Sequence, residues 1–228
     1  MQVVIMAGGK GTRLGPLTEE TPKPMVKINE RPFLEHQLEL LKSFGFYKIL
    51  LLTGYKGEKI MDYFKDGRAW NLSIKYSVEK ELLGTGGALK NAEDKLEKEF
   101  LVLNGDTYLR VDYHKIIRYF MDSGKKGVAA VVVAAGSRSR PNIKIGGFGK
   151  VVDYDRNDPE RMTHVHAGIS ILNKCALDCL SGFGVYTLED EVFPRLIKKN
   201  ELAACLLNER FYDMGDIESL KEIAEVLR

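Results

Sequence analysis

Apolar and polar positions along the chain repeat with two periods. Short apolar runs at residues 3–7, 48–52, 100–103 and 128–135 read as buried strands, and 73–78 alternates as a further strand. Between them lie helical stripes. Phe33, Leu38, Leu40, Leu41 and Phe44 form one, stopped at Gly45. Residues 57–64 form a second, with Ile60, Met61 and Phe64 on its buried side; 88–96 and 113–123 form two more, the last ending at Gly124. Strand and helix alternate at the spacing of right-handed βαβ units. The pattern predicts an α/β fold, a doubly wound and mostly parallel sheet with helices on both faces. Such sheets bind ligands beyond the carboxyl ends of their strands.

From Gly136 the pattern changes. Ser137-Arg138-Ser139-Arg140-Pro141-Asn142, the run 143–145 and the glycines at 146, 147 and 149 predict a long loop and hairpin over the open edge of the sheet. Residues 164–172 read as another strand. Thr187-Leu188-Glu189-Asp190 is a capping box for a helix through Lys199. Asp216 is placed to cap a helix over 217–227.

The composition narrows the class. With 228 residues and 44% hydrophobic content, the chain suits one large domain with a substantial core. The formal net charge of +2 argues against a polyanion-binding surface, so no nucleic acid partner is expected and any phosphate site is local. Three cysteines lie at 175, 179 and 205; with no His near Cys175 and Cys179 for a zinc pattern, buried thiols are expected. No signal peptide, no apolar run of about 18 residues and no repeat is visible, which predicts a cytoplasmic protein without a membrane partner.

The candidate chemistry starts at the N-terminus. The first strand empties into Gly8-Gly9-Lys10-Gly11-Thr12-Arg13-Leu14, followed by Thr21-Pro22-Lys23-Pro24-Met25. Glycines let backbone N–H groups wrap an anion. Arg13 offers a planar charged fork for phosphate oxygens. Lys23 is a second cation, stiffened by two prolines. Together they make a polyphosphate site. The Walker A order is wrong, because Lys10 precedes Gly11. The dinucleotide fingerprint fails at Leu14, and Gly15-Pro16 argues against a helix so soon.

What remains resembles the signature of sugar-1-phosphate nucleotidyltransferases, Gly-Gly-x-Gly-Thr-Arg-Leu, a spacer, then Pro-Lys-Pro-Met. Three further stretches support the resemblance. Glu79 to Ala88 is similar to the family's base-reading Leu-Gly-Thr-Ala/Gly-Gly stretch, closest to its guanylyltransferase branch. A carboxylate only accepts hydrogen bonds, and guanine presents two adjacent donors, N1–H and N2–H, which suits Glu79. Pairing of Glu79 with Lys75, Lys80 or solvent is the other reading. Asn104-Gly105-Asp106-Thr107 resembles the family's metal-binding turn, although Asn-Gly between strands is also a hairpin signal. Phe211-Tyr212-Asp213-Met214-Gly215-Asp216 resembles the turn that carries the second metal carboxylate, matched here by Asp213.

The resemblance implies a Rossmann-like, GT-A-type fold with a small sugar-side β subregion. It implies a single catalytic domain over residues 1–228, with 1–110 mainly for nucleotide and 111–228 mainly for sugar phosphate. Ala7, Gly8, Gly9, Gly11, Thr12, Arg13, Glu79, Gly84, Thr85 and Gly86 would bind an NTP, with GTP favoured. Lys23, Asn104, Gly147, His166, Ala167, Gly168 and Glu189 would bind a sugar 1-phosphate of a heptose or hexose, and Asp106 and Asp213 would hold Mg²⁺. Arg13 and Lys23 would be catalytic, by charge stabilisation of an in-line attack that releases pyrophosphate. Relatives are often dimers, so a homodimer is an expectation.

The sugar side departs from the family. Its usual Glu-Lys pair is missing from Val151-Val152-Asp153-Tyr154-Asp155-Arg156, which unseats a phosphate cation. His166 replaces an Asn and serves either as a donor to a sugar hydroxyl or as a packed strand residue; with His164 it shares a strand face. Arg138 and Arg140 are either phosphate ligands or solvated. Two rival functions stay open: a cytidylyl- or uridylyltransferase for another sugar phosphate or phospho-alcohol, and a nucleotide-binding regulatory protein without turnover.

Overall fold

The structure, a computed structural model, describes residues 1–135 and 138–228. Its strands and helices follow one another as β1 (Gln2–Ala7), α1 (Pro16–Glu19), β2 (Lys27–Ile28), β3 (Arg31–Pro32), α2 (Phe33–Ser43), β4 (Lys48–Thr53), α3 (Gly57–Phe64), β5 (Ser73–Val78), α4 (Gly84–Asn91), β6 (Glu99–Asn104), β7 (Thr107–Tyr108), α5 (Tyr113–Ser123), β8 (Gly127–Val133), β9 (Ile143–Ile145), β10 (Val151–Tyr154), β11 (His164–Asn173), α6 (Phe193–Lys198), β12 (Leu202–Leu207), β13 (Tyr212–Asp213) and α7 (Ile217–Val226).

The apolar runs form strands because both of their faces are covered. In β1, Val3 and Ile5 pack into one layer with α2, α3 and α5, while Val4 packs into the opposite layer with α4 and α6. That is the doubly wound arrangement the pattern predicts. Strands β5, β4, β1 and β6 run parallel, in that spatial order. Beyond β6 the sheet changes. β11 joins antiparallel to β6 and then forks, pairing antiparallel with β8 on one path and β9 on the other. β10 pairs antiparallel with β9 and makes the expected hairpin; β12 pairs parallel with β8.

Several expectations need correction. A helix does start early: a 3-10 turn over Thr12–Leu14 leads into the single turn α1, where Pro16 sits at the first helical position that tolerates a missing N–H. The base stretch is not a free loop before residue 88, since α4 already starts at Gly84. Gly86 and Gly87 donate to Tyr186 O at 2.9 and 3.0 Å, a contact that needs their small size. Asn104 to Thr107 is not a hairpin, because β7 turns away from β6 and pairs with β13. β12 was not read from the pattern at all. The thiols are not all buried: Cys175 is exposed, Cys179 half-buried and Cys205 buried, since the segment over Lys174–Cys179 is a 3-10 helix at the surface. The caps hold as read, with Thr187 accepting from Asp190 N and Asp216 from Ser219 N, although a π turn over Leu188–Val192 precedes α6. The first residues of the predicted loop, 136 and 137, lie outside the described residues. Among the described residues, no helix is long and apolar enough to cross a membrane.

Candidate active site

The carboxyl ends of the parallel strands open onto a cleft of about 750 Å³. The first loop forms one wall: Ala7, Gly8, Gly9, Gly11, Thr12 and Arg13 all line it. The carbonyls of Gly8 and Gly11 accept from Tyr55 N (3.0 Å) and Thr18 Oγ1 (3.0 Å), which pins the loop to β4 and α1. Gly11 has φ +66°, and a Cβ there would lie 2.9 Å from Lys23 Cβ. Glycine at this position therefore lets Lys23 pass close beneath the loop. Lys23 is itself buried, in a 3-10 turn that follows Pro22. Its Nζ lies 2.6 Å from Asp106 Oδ2.

The turn carrying Asp106 crosses directly over β1. Gly105 N donates to Met6 O at 3.0 Å, an approach that any Cβ at Gly105 would block. Beyond it, β7 pairs with β13 so that Thr107 faces Asp213, and Met214 N donates to Asp106 O at 2.9 Å. The two acidic residues, distant in sequence, meet on the same side of the cleft. Asp213 is oriented by Gly215 N on Oδ1 (2.8 Å) and Ser139 Oγ on Oδ2 (3.1 Å). Among the described residues, no group of three or more His, Cys, Asp or Glu is arranged to hold a metal ion. Two carboxylates at a phosphate cleft fit a hard cation that takes its remaining oxygens from phosphate and water, as Mg²⁺ does, and do not fit an all-protein cage.

Glu79 lines the cleft just past the end of β5. Its N–H donates to Thr53 O (2.8 Å), and its carboxylate lies against Gly8 and Gly54 while accepting from Leu83 N at 3.2 Å. Burial raises its pKa above the usual carboxylate value, with the Leu83 bond acting the other way. It forms no ion pair with Lys75 or Lys80 among the described residues, which leaves the carboxylate facing the cleft. Gly84 and Thr85 line the cleft beside it. Gly86 does not: it is buried, its amide spent on Tyr186.

The opposite wall holds a residue that sequence reading missed. Arg156 lines the cleft, with Nη2 2.7 Å from Glu189 Oε2. The same Glu189 oxygen accepts from Thr85 Oγ1 at 2.9 Å, and Thr85 Oγ1 in turn accepts from Leu188 N at 2.8 Å. The buried Glu189 thus ties α4 to the segment that follows β10. The missing Glu-Lys pair therefore does not leave this wall without a cation. The signal was present in Asp155-Arg156, which keeps the charge order of the pair. Tyr154 and Asn142, also not foreseen, line the same wall.

His166 lines the cleft but is committed to packing. Its Nε2 lies 3.1 Å from Ile169 O and 3.0 Å from Ser170 Oγ, and its ring meets Tyr154 and Phe193 edge-on. Burial holds its pKa below the usual imidazole value, against the pull of Glu189. His164 stands apart from the cleft, bonded at Nδ1 to Thr163 Oγ1 (2.7 Å). Asn104 and Gly168 line the cleft. Two expected sugar-side residues do not. Ala167 is fully buried in the core layer, and Gly147 sits exposed on a turn that packs beside β12. Arg138 is exposed and is not a cleft cation; its guanidinium pairs at the surface with Glu218 (2.8 Å) and Glu222 (3.0 Å) of α7. Arg140 is exposed.

Comparison with known proteins places this geometry among relatives. The model of the nucleotidyl transferase family matches residues 2–228. D-glycero-alpha-D-manno-heptose 1-phosphate guanylyltransferase of Campylobacter jejuni is 34% identical over 94% of this chain and 95% of its own length. Mannose-1-phosphate guanyltransferase 2 of Candida glabrata is 32% identical over 94% of this chain, which spans 61% of that longer protein. The crystal structure of HddC from Yersinia pseudotuberculosis complexed with GMP-PN superposes with a TM-score of 0.83 at 30% identity, covering 100% of this chain and 99% of that one.

Proposed function

Since the chain belongs to the nucleotidyl transferase family, we propose that it transfers a guanylyl group from GTP to a heptose or hexose 1-phosphate, releasing pyrophosphate. The observation that carries this reading is the meeting of Asp106 and Asp213 beside Lys23, next to the glycine loop. Residues 1–228 act as one catalytic unit, with nucleotide on the β1 and β5 side and sugar phosphate on the β11 side.

Both substrates are anions, so the first barrier is their repulsion. The amides of Gly8, Gly9 and Gly11 and the guanidinium of Arg13 hold the triphosphate and stabilise the pyrophosphate as it leaves. Glu79 accepts from N1–H and N2–H of guanine. Lys23 steadies the attacking phosphate against the α-phosphorus. Asp106 and Asp213 would hold Mg²⁺, which would supply charge neutralisation on the phosphate oxygens. Arg156 provides the second cation of the sugar wall, kept in place by Glu189. Asn104 and Gly168 complete the sugar subsite. A phosphate monoester is already ionised at neutral pH, so no general base is required; positioning and electrostatics carry the catalysis.

Pyrophosphate release tests the reading. GTP with a heptose or mannose 1-phosphate should give magnesium-dependent pyrophosphate, and ATP, UTP and CTP should give far less. Nucleotide binding without pyrophosphate from any combination would favour the regulatory alternative, and turnover confined to CTP or UTP would overturn the base assignment.

A further inference from the structure

Helix α2 carries a polar residue where its pattern calls for an apolar one. Gln37 lies four residues after Phe33 and four before Leu41, on the stripe that packs against the sheet. It is fully buried and so are Phe33, Leu34, Leu38 and Leu41 around it. Its side-chain Nε2 donates to Asn104 O and to Thr107 O, both at 2.9 Å. Those carbonyls are the two ends of the turn that carries Asp106. Its Oε1 is buried with no partner. The amide thus pairs two backbone oxygens at the cost of its own unpartnered Oε1, so its polar chemistry is directed wholly at the ends of this turn. Rotating the amide would set Oε1 against two carbonyl oxygens and lose both bonds, so the chemistry fixes its orientation.

We propose that Gln37 is a positioning residue for Asp106, closing the metal turn from the helix layer by bridging its two ends. The two middle residues of the turn are held by backbone bonds, Gly105 N to Met6 O of β1 and Met214 N, just past β13, to Asp106 O, while Gln37 sets the separation of its ends from behind. Gln37 itself does not line the cleft, so its bonds act through the turn residues that do, Asp106 and its neighbours Asn104 and Thr107. This rests on the reading of Asp106 as a metal carboxylate.

The test compares Gln37→Met with Thr53→Val, which removes the other side-chain polar atom buried without a partner among the described residues and leaves the turn untouched. Mn²⁺ binding to the protein with GTP, followed by electron paramagnetic resonance, should weaken about tenfold in Gln37→Met, a loss near 1.4 kcal/mol. The value of kcat should fall to a similar extent. Amide exchange at Gly105 and Met214 should quicken, and the preference for GTP over UTP should stay. Thr53→Val should bind Mn²⁺ as the wild type does. Gln37→Glu keeps the shape, turns both donors into acceptors and should lose more than Gln37→Met. Wild-type Mn²⁺ affinity in either folded Gln37 variant overturns the proposal, as does an equal loss in Thr53→Val. If neither Gln37 variant folds, solvent exchange of the Gln37 side-chain amide in the wild type decides by NMR: slow exchange supports the bridge, and fast exchange overturns it. Undiminished Mn²⁺ affinity in Asp106→Asn would instead sink the metal reading, separately from the exchange result at the turn.

Discussion

The two walls of the cleft are built by different means. On the wall at the end of β1, backbone does most of the shaping: a glycine loop leaves a parallel strand and is held by main-chain bonds such as Tyr55 N, just past β4, to Gly8 O. On the facing wall, proposed to take the sugar phosphate, side chains do it. Glu189 joins Arg156 and Thr85, while Asn142 and Ser170 hold His166. The contrast teaches where each wall is vulnerable. A backbone cradle tolerates side-chain changes that spare its glycines, whereas a buried charged network is only as good as its least replaceable member.

The largest effects are expected where the walls meet. Asp106→Ala should leave a folded protein with activity reduced by about 10³-fold, at any Mg²⁺ concentration, measured as pyrophosphate release. Next come the two cations. Lys23→Ala and Arg13→Ala should each lower kcat/KM on the order of 10²-fold. Lys23→Ala carries a second signature, because it also removes the 2.6 Å ion pair with Asp106. The Mg²⁺ concentration for half-maximal rate should therefore shift in Lys23→Ala and hold steady in Arg13→Ala. Equal behaviour of the two variants would mean that Lys23 acts on phosphate alone.

The same contrast explains how much was legible in the sequence. The cradle, the Asp106 turn and the parallel strands were readable because each is a local pattern: glycines in a row, a short apolar run, a proline-flanked lysine. Asp213 was readable only through a family motif; the β7–β13 pairing that brings it to Asp106 has no local trace. Arg156 was passed over because its role depends on Glu189, far along the chain. Gly147 and Ala167 were misplaced for the opposite reason. Proximity in sequence to a motif does not turn a residue toward the cleft, and in β11 the positive φ of Gly168 and a register shift between His166 and Ser170 break the simple alternation. Gln37 carries no local signal either, because its two acceptors, Asn104 O and Thr107 O, lie far along the chain.

Arg156→Ala should separate the walls cleanly. KM for the sugar phosphate is expected to rise about tenfold or more while KM for GTP changes little. Glu189, left buried without its cation, should also lower the melting temperature. Arg156→Lys should restore part of the sugar-phosphate affinity, because the charge returns without the planar fork. An equal rise in both KM values would show that the Thr85–Glu189 link transmits the damage to the base side.

The smallest expected effect is one of sign with pH. Glu79 and His166 both line the cleft and carry opposite perturbations, each caused first by burial. The Glu79 pKa is raised above 4.5, so the folded protein binds the proton more readily than the unfolded chain. Its stabilising share is present below 4.5 and is lost as pH rises through the folded value. The His166 pKa is lowered below 6.5, so the unfolded chain takes up the proton first. Its share is present above 6.5 and is lost as pH falls toward the folded value. Between pH 6.5 and 4.5 the two oppose one another. Melting curves across that window should therefore fall more steeply toward acid in Glu79→Gln than in wild type, and less steeply in His166→Asn. The base reading adds a functional arm. Only ionised Glu79 accepts both guanine donors, so GTP affinity should weaken on acidification from a higher pH than an ordinary carboxylate would give, and Glu79→Gln should lose that dependence together with its guanine preference. Unchanged NTP selectivity in Glu79→Gln would remove the residue from base recognition while leaving the stability prediction to stand or fall by itself.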